Sequence, residues 1–135
     1  MKIIDLKRKQ VEDIESRLEQ YDDKYTKQDL EGAIQIGIVD ENNNLIGGLD
    51  ACITTFKILY VSTLFVEKEH RRKGYGRQMI EEMERRAKKM GVNTIRLDTF
   101  DWQGKEFYLA LGYEIVGHYQ NKEDGYSEYF FLKRI

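Results

Sequence analysis

Apolar residues recur along this chain with two different periods, and the switch between them locates most of its elements. Val11, Ile14, Leu18 and Tyr21 fall three and four residues apart with charges between them, the spacing of one face of an amphipathic helix. This predicts a helix from about Lys7 to Asp22 with Asp5 as its cap. Thr26-x-x-Asp29 would start a further short turn. From Ala33 the period becomes two. Ile34, Ile36 and Ile38 alternate with Gln35, Gly37 and Val39, which predicts a strand. Asp40 through Asn44 is turn chemistry, since Asp and Asn bond their own main chain. Leu45 to Phe56 then returns as the second arm of a hairpin, with Gly47 and Gly48 marking a bulge. Ile58 to Val66, rich in β-branched and aromatic residues, is a third strand.

The next segment is helical. Tyr75, Met79, Ile80, Met83, Ala87 and Met90 line one face, and Gly91 is a natural stop. Glu81/Arg85, Glu82/Arg86 and Glu84/Lys88 are spaced to pair along its surface. Asn93 to Phe100 follows as a strand and Gly104 to Leu111 as a short helix closed by Gly112. Tyr113 to Gln120 and Tyr126 to Arg134 are two strands about the turn 121–125. A short strand at Lys2 to Leu6 would stand in front. The order predicts an α/β (α+β) fold, a mixed central sheet of about six to seven strands flanked by helices. No repeat or compositional break divides the chain, so residues 1–135 read as one domain.

Composition narrows the function classes. Hydrophobic residues make up 41% and aromatics 12% of the 135 residues, enough for a packed core despite the high charge. One cysteine forbids an internal disulfide framework and a thiolate zinc site. Cys52 reads as a buried core residue. His70 and His118 are widely separated in sequence and show no metal or triad spacing, so no metal is expected. The longest apolar stretch, around Ile58 to Val66, is too short to span a bilayer. With no apolar run at the N-terminus, the expected setting is the cytoplasm, away from membranes.

The candidate chemistry lies between the third strand and the second helix. From Lys68 to Arg77 there are five basic residues and one acid, a net +4. The other 125 residues therefore carry a net −6 toward the total of −2. Gly74 and Gly76 allow close backbone approach and a sharp entry into the helix. The free N–H groups and positive dipole end of that helix favour an anion, and Arg71, Arg72, Lys73 and Arg77 add positive charge around it. The spacing is not that of a P-loop, and Met79 stands where a dinucleotide fingerprint needs a third small residue. A solvated basic loop at a helix entry remains the plain alternative. The cluster is short, and nucleic acid is not an expected partner.

Arg71-Arg72-Lys73-Gly74-Tyr75-Gly76 resembles the acyl-CoA-binding motif of the GNAT superfamily of N-acetyltransferases, Arg/Gln-x-x-Gly-x-Gly/Ala. The preceding Leu64-Phe65-Val66 is similar to the family strand that feeds this loop. Downstream, the stretch from Leu97 to Gln103 and the run Phe107-Tyr108-Leu109-Ala110-Leu111-Gly112-Tyr113 resemble a later family motif. The resemblance covers about Ile34 to Ile135. It implies that main-chain N–H groups from Arg72 through Arg77 bind the pyrophosphate of acetyl-CoA. The main chain of Leu64, Phe65 and Val66 would pair with the pantetheine arm, and Tyr108 would protonate the departing thiolate. Lys68 stands where the family often has proline and Arg72 where it often has glycine, and both still supply an N–H. Gln103 lies near a family asparagine.

The implied reaction is direct attack of a neutral primary amine on the thioester, through a tetrahedral intermediate. A small-molecule amine is the leading acceptor. A protein lysine or N-terminus, or a non-catalytic acyl-CoA sensor, are the alternatives. Asp98 and Asp101 flank the strand end where the amine should approach, with a turn role as the plainer reading. Phe56, Tyr60 and Trp102 are candidates to shape the acceptor pocket, and Glu31 and Asp50 are weaker ones. Many members of the family dimerise, so a homodimer is an allowed assembly, though nothing in the sequence chooses an edge.

Overall fold

The alternating isoleucines of the first strand and the Met-rich stripe of the second helix face one another across a single core. The computed structural model describes residues 1–26 and 30–135. Its helices are α1 (Arg8–Asp22), α2 (Tyr75–Met90) and α3 (Lys105–Ala110). Its strands are β1 (Ala33–Val39), β2 (Leu45–Thr55), β3 (Ile58–Val66), β4 (Thr94–Phe100), β5 (Glu114–Asn121) and β6 (Tyr126–Arg134). They form one six-stranded sheet in the order β1-β2-β3-β4-β6-β5. Only β3 and β4 run parallel, and α2 lies in the long connection that a parallel pair requires. A six-stranded mixed sheet with flanking helices is the fold class expected from the sequence.

Ile34, Leu49, Leu59, Val61, Ile95, Leu97 and Phe131 point to one face of the sheet and meet Met79, Ile80, Met83 and Ala87 of α2. Full burial of such side chains is worth roughly 1.5–3 kcal/mol each. Tyr108 and Tyr113 close that core beside Phe131. The opposite face leaves Cys52, Arg96, Asp98 and Phe130 exposed. Among the described residues no helix packs over it.

Several expectations are corrected. Cys52 is exposed, because its strand position turns it to the uncovered face, paired with Tyr60. Residues 2–6 join no strand among the described residues, and the sheet ends at β1 without them. Helix α1 is capped at Lys7, whose N–H donates to Gln10 Oε1 at 2.9 Å, and not at Asp5. None of its residues is buried. Asp29 lies outside the described residues. On α2 the expected Glu82–Arg86 pair forms, and Glu82 takes Arg85 as well, in place of the expected Glu81–Arg85 pair. Glu81 pairs with Arg77, while Glu84 reaches across to Lys133. The bulge falls beside Gly47, at Ile46, where the β1–β2 register shifts. Gly47 itself answers a close approach: a Cβ there would lie 2.9 Å from the Phe65 carbonyl oxygen.

Candidate active site

Strands β3 and β4 pair at only three positions, Ile58/Thr94, Leu59/Ile95 and Tyr60/Arg96. Beyond these, β3 runs on to Val66 and β4 to Phe100 without meeting. The cause lies on the other side of β3. Its register with β2 shifts between Asp50 and Ala51, leaving Ser62 unpaired with a β2 residue, and a bulge bends its strand. The result is a trough between the C-terminal ends of two parallel strands. The backbone of Leu64, Phe65 and Val66 forms one wall, and that edge lacks a neighbouring strand. Such an edge pairs with any extended chain carrying amides.

The basic loop lies at the end of the same trough. One 3₁₀ turn, Lys68–His70, leads from β3 to it. Arg72 sits at φ 61° and Gly74 at φ 84°, two left-handed residues that turn the chain into α2. Gly74 is the N-cap and offers no side chain. Gln78 N–H bonds the Gly74 carbonyl, so the N–H groups of Tyr75, Gly76 and Arg77 have no acceptor within the helix. A Cβ on Gly74 would meet nothing within 4 Å, and one on Gly76 would press the Phe107 ring at 3.1 Å. The cradle is therefore open at Gly74 and backed by α3 at Gly76. Arg72, Lys73 and Arg77 are exposed around it. Arg71 is turned away, its Nε donating to the Val66 carbonyl at 2.7 Å and its guanidinium over Phe65. Arg71 thus orders the cradle's entry, and the Val66 carbonyl is already engaged.

Tyr108, on α3, is 8% exposed and packed by Phe107, Tyr113 and Phe131. Burial, with the Asp98 carboxylate adding to it, pushes its hydroxyl up to about 12. No hydrogen bond to a described residue engages its hydroxyl, and no unpaired polar side-chain atom among them is sealed from solvent. The group is therefore a phenol, protonated at neutral pH, whose hydroxyl keeps some contact with solvent.

The other candidates separate. Asp98 stands on β4 and accepts a hydrogen bond from Tyr60 Oη at 3.0 Å, with the Arg96 guanidinium over the Tyr60 ring. Asp101 is structural: its Oδ2 accepts from Ser127 N–H and its N–H donates to the Ser127 carbonyl. Gln103 is likewise spent on the turn, its Oε1 accepting from Phe100 N–H at 2.9 Å. Trp102 is 67% exposed and stacks on Phe100 at 4.6 Å, with Tyr126 edge-on to both. Asp50 accepts from Gln35 on the uncovered face, Glu31 precedes β1, and Phe56 sits in the β2–β3 turn. The sequence reading did not single out Arg96, Glu128 or Tyr126. Arg96 and Glu128 reach this region through the β3–β4–β6 register and Tyr126 through its ring contacts with Phe100 and Trp102, none of which hydrophobic period reveals. A groove of about 440 Å³ opens elsewhere, between β1 and α2. Among the described residues no cluster of His, Cys, Asp and Glu could hold a metal, and no helix is long and apolar enough to cross a membrane.

Solved structures share this layout. An acetyltransferase from Bacillus cereus ATCC 14579 superposes with a TM-score of 0.93 at 29% identity, covering 100% of this chain and 98% of that one. Residues 1–25, an N-terminal arm that ends in α1, are about a fifth of the chain, so a score that high requires the arm to superpose as well. An aminoglycoside 6'-N-acetyltransferase complexed with coenzyme A matches at TM-score 0.66 and 21% identity, covering 88% and 79%. The ribosomal-protein-S18-alanine N-acetyltransferase from Escherichia coli matches at 0.67 and 16%, covering 83% and 75%. Those two likenesses are of fold alone. No curated protein sequence matches. The model of the Acetyltransferase (GNAT) family matches residues 2–113, a span that takes in the cradle, the splayed strands and Tyr108, and the chain belongs to that family.

Proposed function

We propose that this chain is a cytoplasmic, single-domain enzyme that transfers an acetyl group from acetyl-CoA to the primary amine of a small molecule. The observation that carries the reading is the joining of an anion cradle at the α2 N-terminus to the unpaired edge of β3. A thioester carrying a pyrophosphate needs both at once, and the open space at Gly74 admits it. The main-chain N–H groups from Arg72 to Arg77, with the side chains of Arg72, Lys73 and Arg77, hold the pyrophosphate. The edge at Leu64 and Phe65 orders the pantetheine amides. An N–H of that edge supports the developing oxyanion.

In the transfer, the amine nitrogen bonds to the acetyl carbon and the carbon–sulfur bond breaks. The amine loses a proton and the sulfur ends with one. Tyr108 faces the departing sulfur. A thiol ionises near 8.5, so full transfer from a phenol at about 12 runs uphill by about three powers of ten. Tyr108 therefore acts by hydrogen bonding the leaving thiolate, and the sulfur's proton comes ultimately from the attacking amine. On the acceptor side, Asp98, Glu128 and the Phe100–Trp102–Tyr126 cluster favour a cationic amine.

The test is release of free thiol from acetyl-CoA across a panel of cationic amines, alongside calorimetric titration with CoA. Turnover with a panel member supports the reading. Tight CoA binding without turnover would leave an acyl-CoA sensor instead, and absence of both would end the proposal. The uncovered sheet face supports a second reading, in which the acceptor is a lysine or N-terminus of an extended peptide. Faster turnover on peptide arrays than on free amines would select it.

A further inference from the structure

Residues 1–25 lie outside the cradle and the splayed strands described above. Helix α1 carries the apolar stripe of a packed helix, yet Ile14, Leu18 and Tyr21 are all more than half exposed. Ile3, Ile4 and Leu6 precede it in exposed chain outside any helix or strand. The whole chain exposes 10137 Å². A compact monomer of 16.0 kDa exposes about 7,400 Å² by the scaling of surface with mass. The surplus is about 2,700 Å² of total surface per chain, polar and apolar together. Summed over two chains it falls in the range of permanent dimer interfaces.

The chain also presents the surfaces that would take this arm. Among the described residues strand β1 pairs only with β2, so its outer edge offers N–H and C=O groups that no described strand takes. Beside it, the groove between β1 and α2 is floored by Ile36, Ile38 and Met79 and rimmed by Gln78, Glu82 and Arg86. The C-terminal half of α2 adds Arg85, Lys88 and Lys89, opposite in sign to the excess acids of α1, which has Glu12, Asp13, Glu15, Glu19 and Asp22 against three cations. The arm does not lie in its own groove, because α1 buries nothing. The Bacillus cereus structure shares that disposition. Exchanging an identical element fills both grooves of a two-fold pair with equivalent contacts.

We propose that two copies of this chain exchange N-terminal arms. Residues 2–6 of one copy add a strand to the β1 edge of the other, and α1 seats Ile14, Leu18 and Tyr21 in the partner's β1–α2 groove. Sedimentation equilibrium of the full chain tests the pairing and should give twice the monomer mass at micromolar concentration. Ile14→Asp with Leu18→Asp should raise the dimer dissociation constant by at least about 30-fold. Circular dichroism of the sheet should not change, because neither residue is buried within one chain. A monomeric wild type, or a variant that dimerises as tightly, overturns the proposal. Lysine cross-linking of co-refolded ¹⁴N and ¹⁵N chains tests the placement. Links from Lys7 or Lys9 of one isotope to Lys88 or Lys89 of the other are expected. Such links confined to one isotope would return the arm to its own groove, and links between arms alone would make α1 pair with α1. Either result overturns the exchange.

Discussion

Tyr60 Oη donates a hydrogen bond to Asp98 Oδ2 at 3.0 Å, from β3 to β4, at the point where the two strands stop pairing. The bond fixes the carboxylate at the mouth of the trough and leaves its second oxygen free of the tyrosine. Burial and the nearby carboxylate hold the Tyr60 hydroxyl above its ordinary pKa, so it remains the donor across the physiological range. Glu128 pushes the same way, which places two negative charges near one another beside the aromatic cluster. Arg96 offsets part of that charge from the far side of the ring.

Asp98→Asn keeps the shape and can still accept from Tyr60, but it removes the charge. A charged hydrogen bond contributes roughly 1.5–3 kcal/mol. The KM for a cationic amine should therefore rise about 10-fold or more, with CoA affinity unchanged. Steady-state kinetics on a matched pair of cationic and neutral acceptors would show it. An equal loss on both acceptors would mean that Asp98 holds the strands rather than the substrate.

Tyr108→Phe should lower kcat by about 10- to 100-fold while leaving the CoA dissociation constant within about two-fold, because a hydrogen bond made only as the thiolate departs does not help the ground state. The hydroxyl titrates near 12, so its proton is in place throughout the usable range. A profile of kcat to pH 10 should show no falling limb that the phenylalanine variant lacks. The linkage has a definite sign. A phenol raised on folding contributes stability below its unfolded value near 10, and that contribution is lost as pH rises through about 12. A Tyr108-dependent fall in activity between pH 8 and 10 would contradict this assignment.

Much of the sheet was legible in the sequence because its residues announce one buried face. Ile34, Ile36 and Ile38 alternate, and the Met79–Ile80–Met83–Ala87 stripe repeats at the helical period; both faces meet in the core. The cradle was legible for the same local reason, since Gly74 must hold φ 84°. What failed was long-range. The stripe of α1 has the same period as that of α2, yet no residue of α1 is buried, and period alone does not say whether a stripe is covered. Cys52 was misplaced because a strand flanked by apolar residues does not reveal which of its faces is left bare. Asp98 could not be tied to Tyr60 without knowing that β3 and β4 pair in parallel and then part.

The pairing of Lys133 with Glu84 also escaped the sequence, which offered Lys88 instead. Lys133 Nζ lies 2.6 Å from Glu84 Oε1 and donates to the Leu111 carbonyl at 2.8 Å. It thereby ties β6 to α2 and to the end of α3, beside the residues that hold Tyr108. Tyr113, its hydroxyl kept protonated by burial, gives Glu84 a longer bond at 3.5 Å. Lys133→Met retains the stem and removes the charge, leaving a partly buried carboxylate short of a partner. Thermal unfolding should show a loss of about 1–3 kcal/mol and a Tm lower by about 3–10 °C. Adding Glu84→Leu should restore part of the loss. No recovery in the double variant would show that packing of the lysine stem, and not the charge, was being measured.

Gly74→Ala separates the conformational demand of the cradle from its space. A Cβ at Gly74 would meet nothing within 4 Å, so the substitution introduces no clash in the chain alone. The left-handed backbone at φ 84° still costs a residue with a side chain roughly 1–2 kcal/mol, and Tm should fall by about 3–8 °C. If the open space is where the pyrophosphate approaches, CoA affinity should fall further than this strain explains, by about 10-fold or more. Gly76→Ala is the control. Its Cβ would stand 3.1 Å from the Phe107 ring, at an ordinary helical position, so it should shift α3 without imposing left-handed strain. Calorimetric titration with CoA on both variants decides the matter. Wild-type affinity in Gly74→Ala would move the anion away from the α2 N-terminus and remove the central support for acetyl-CoA binding there.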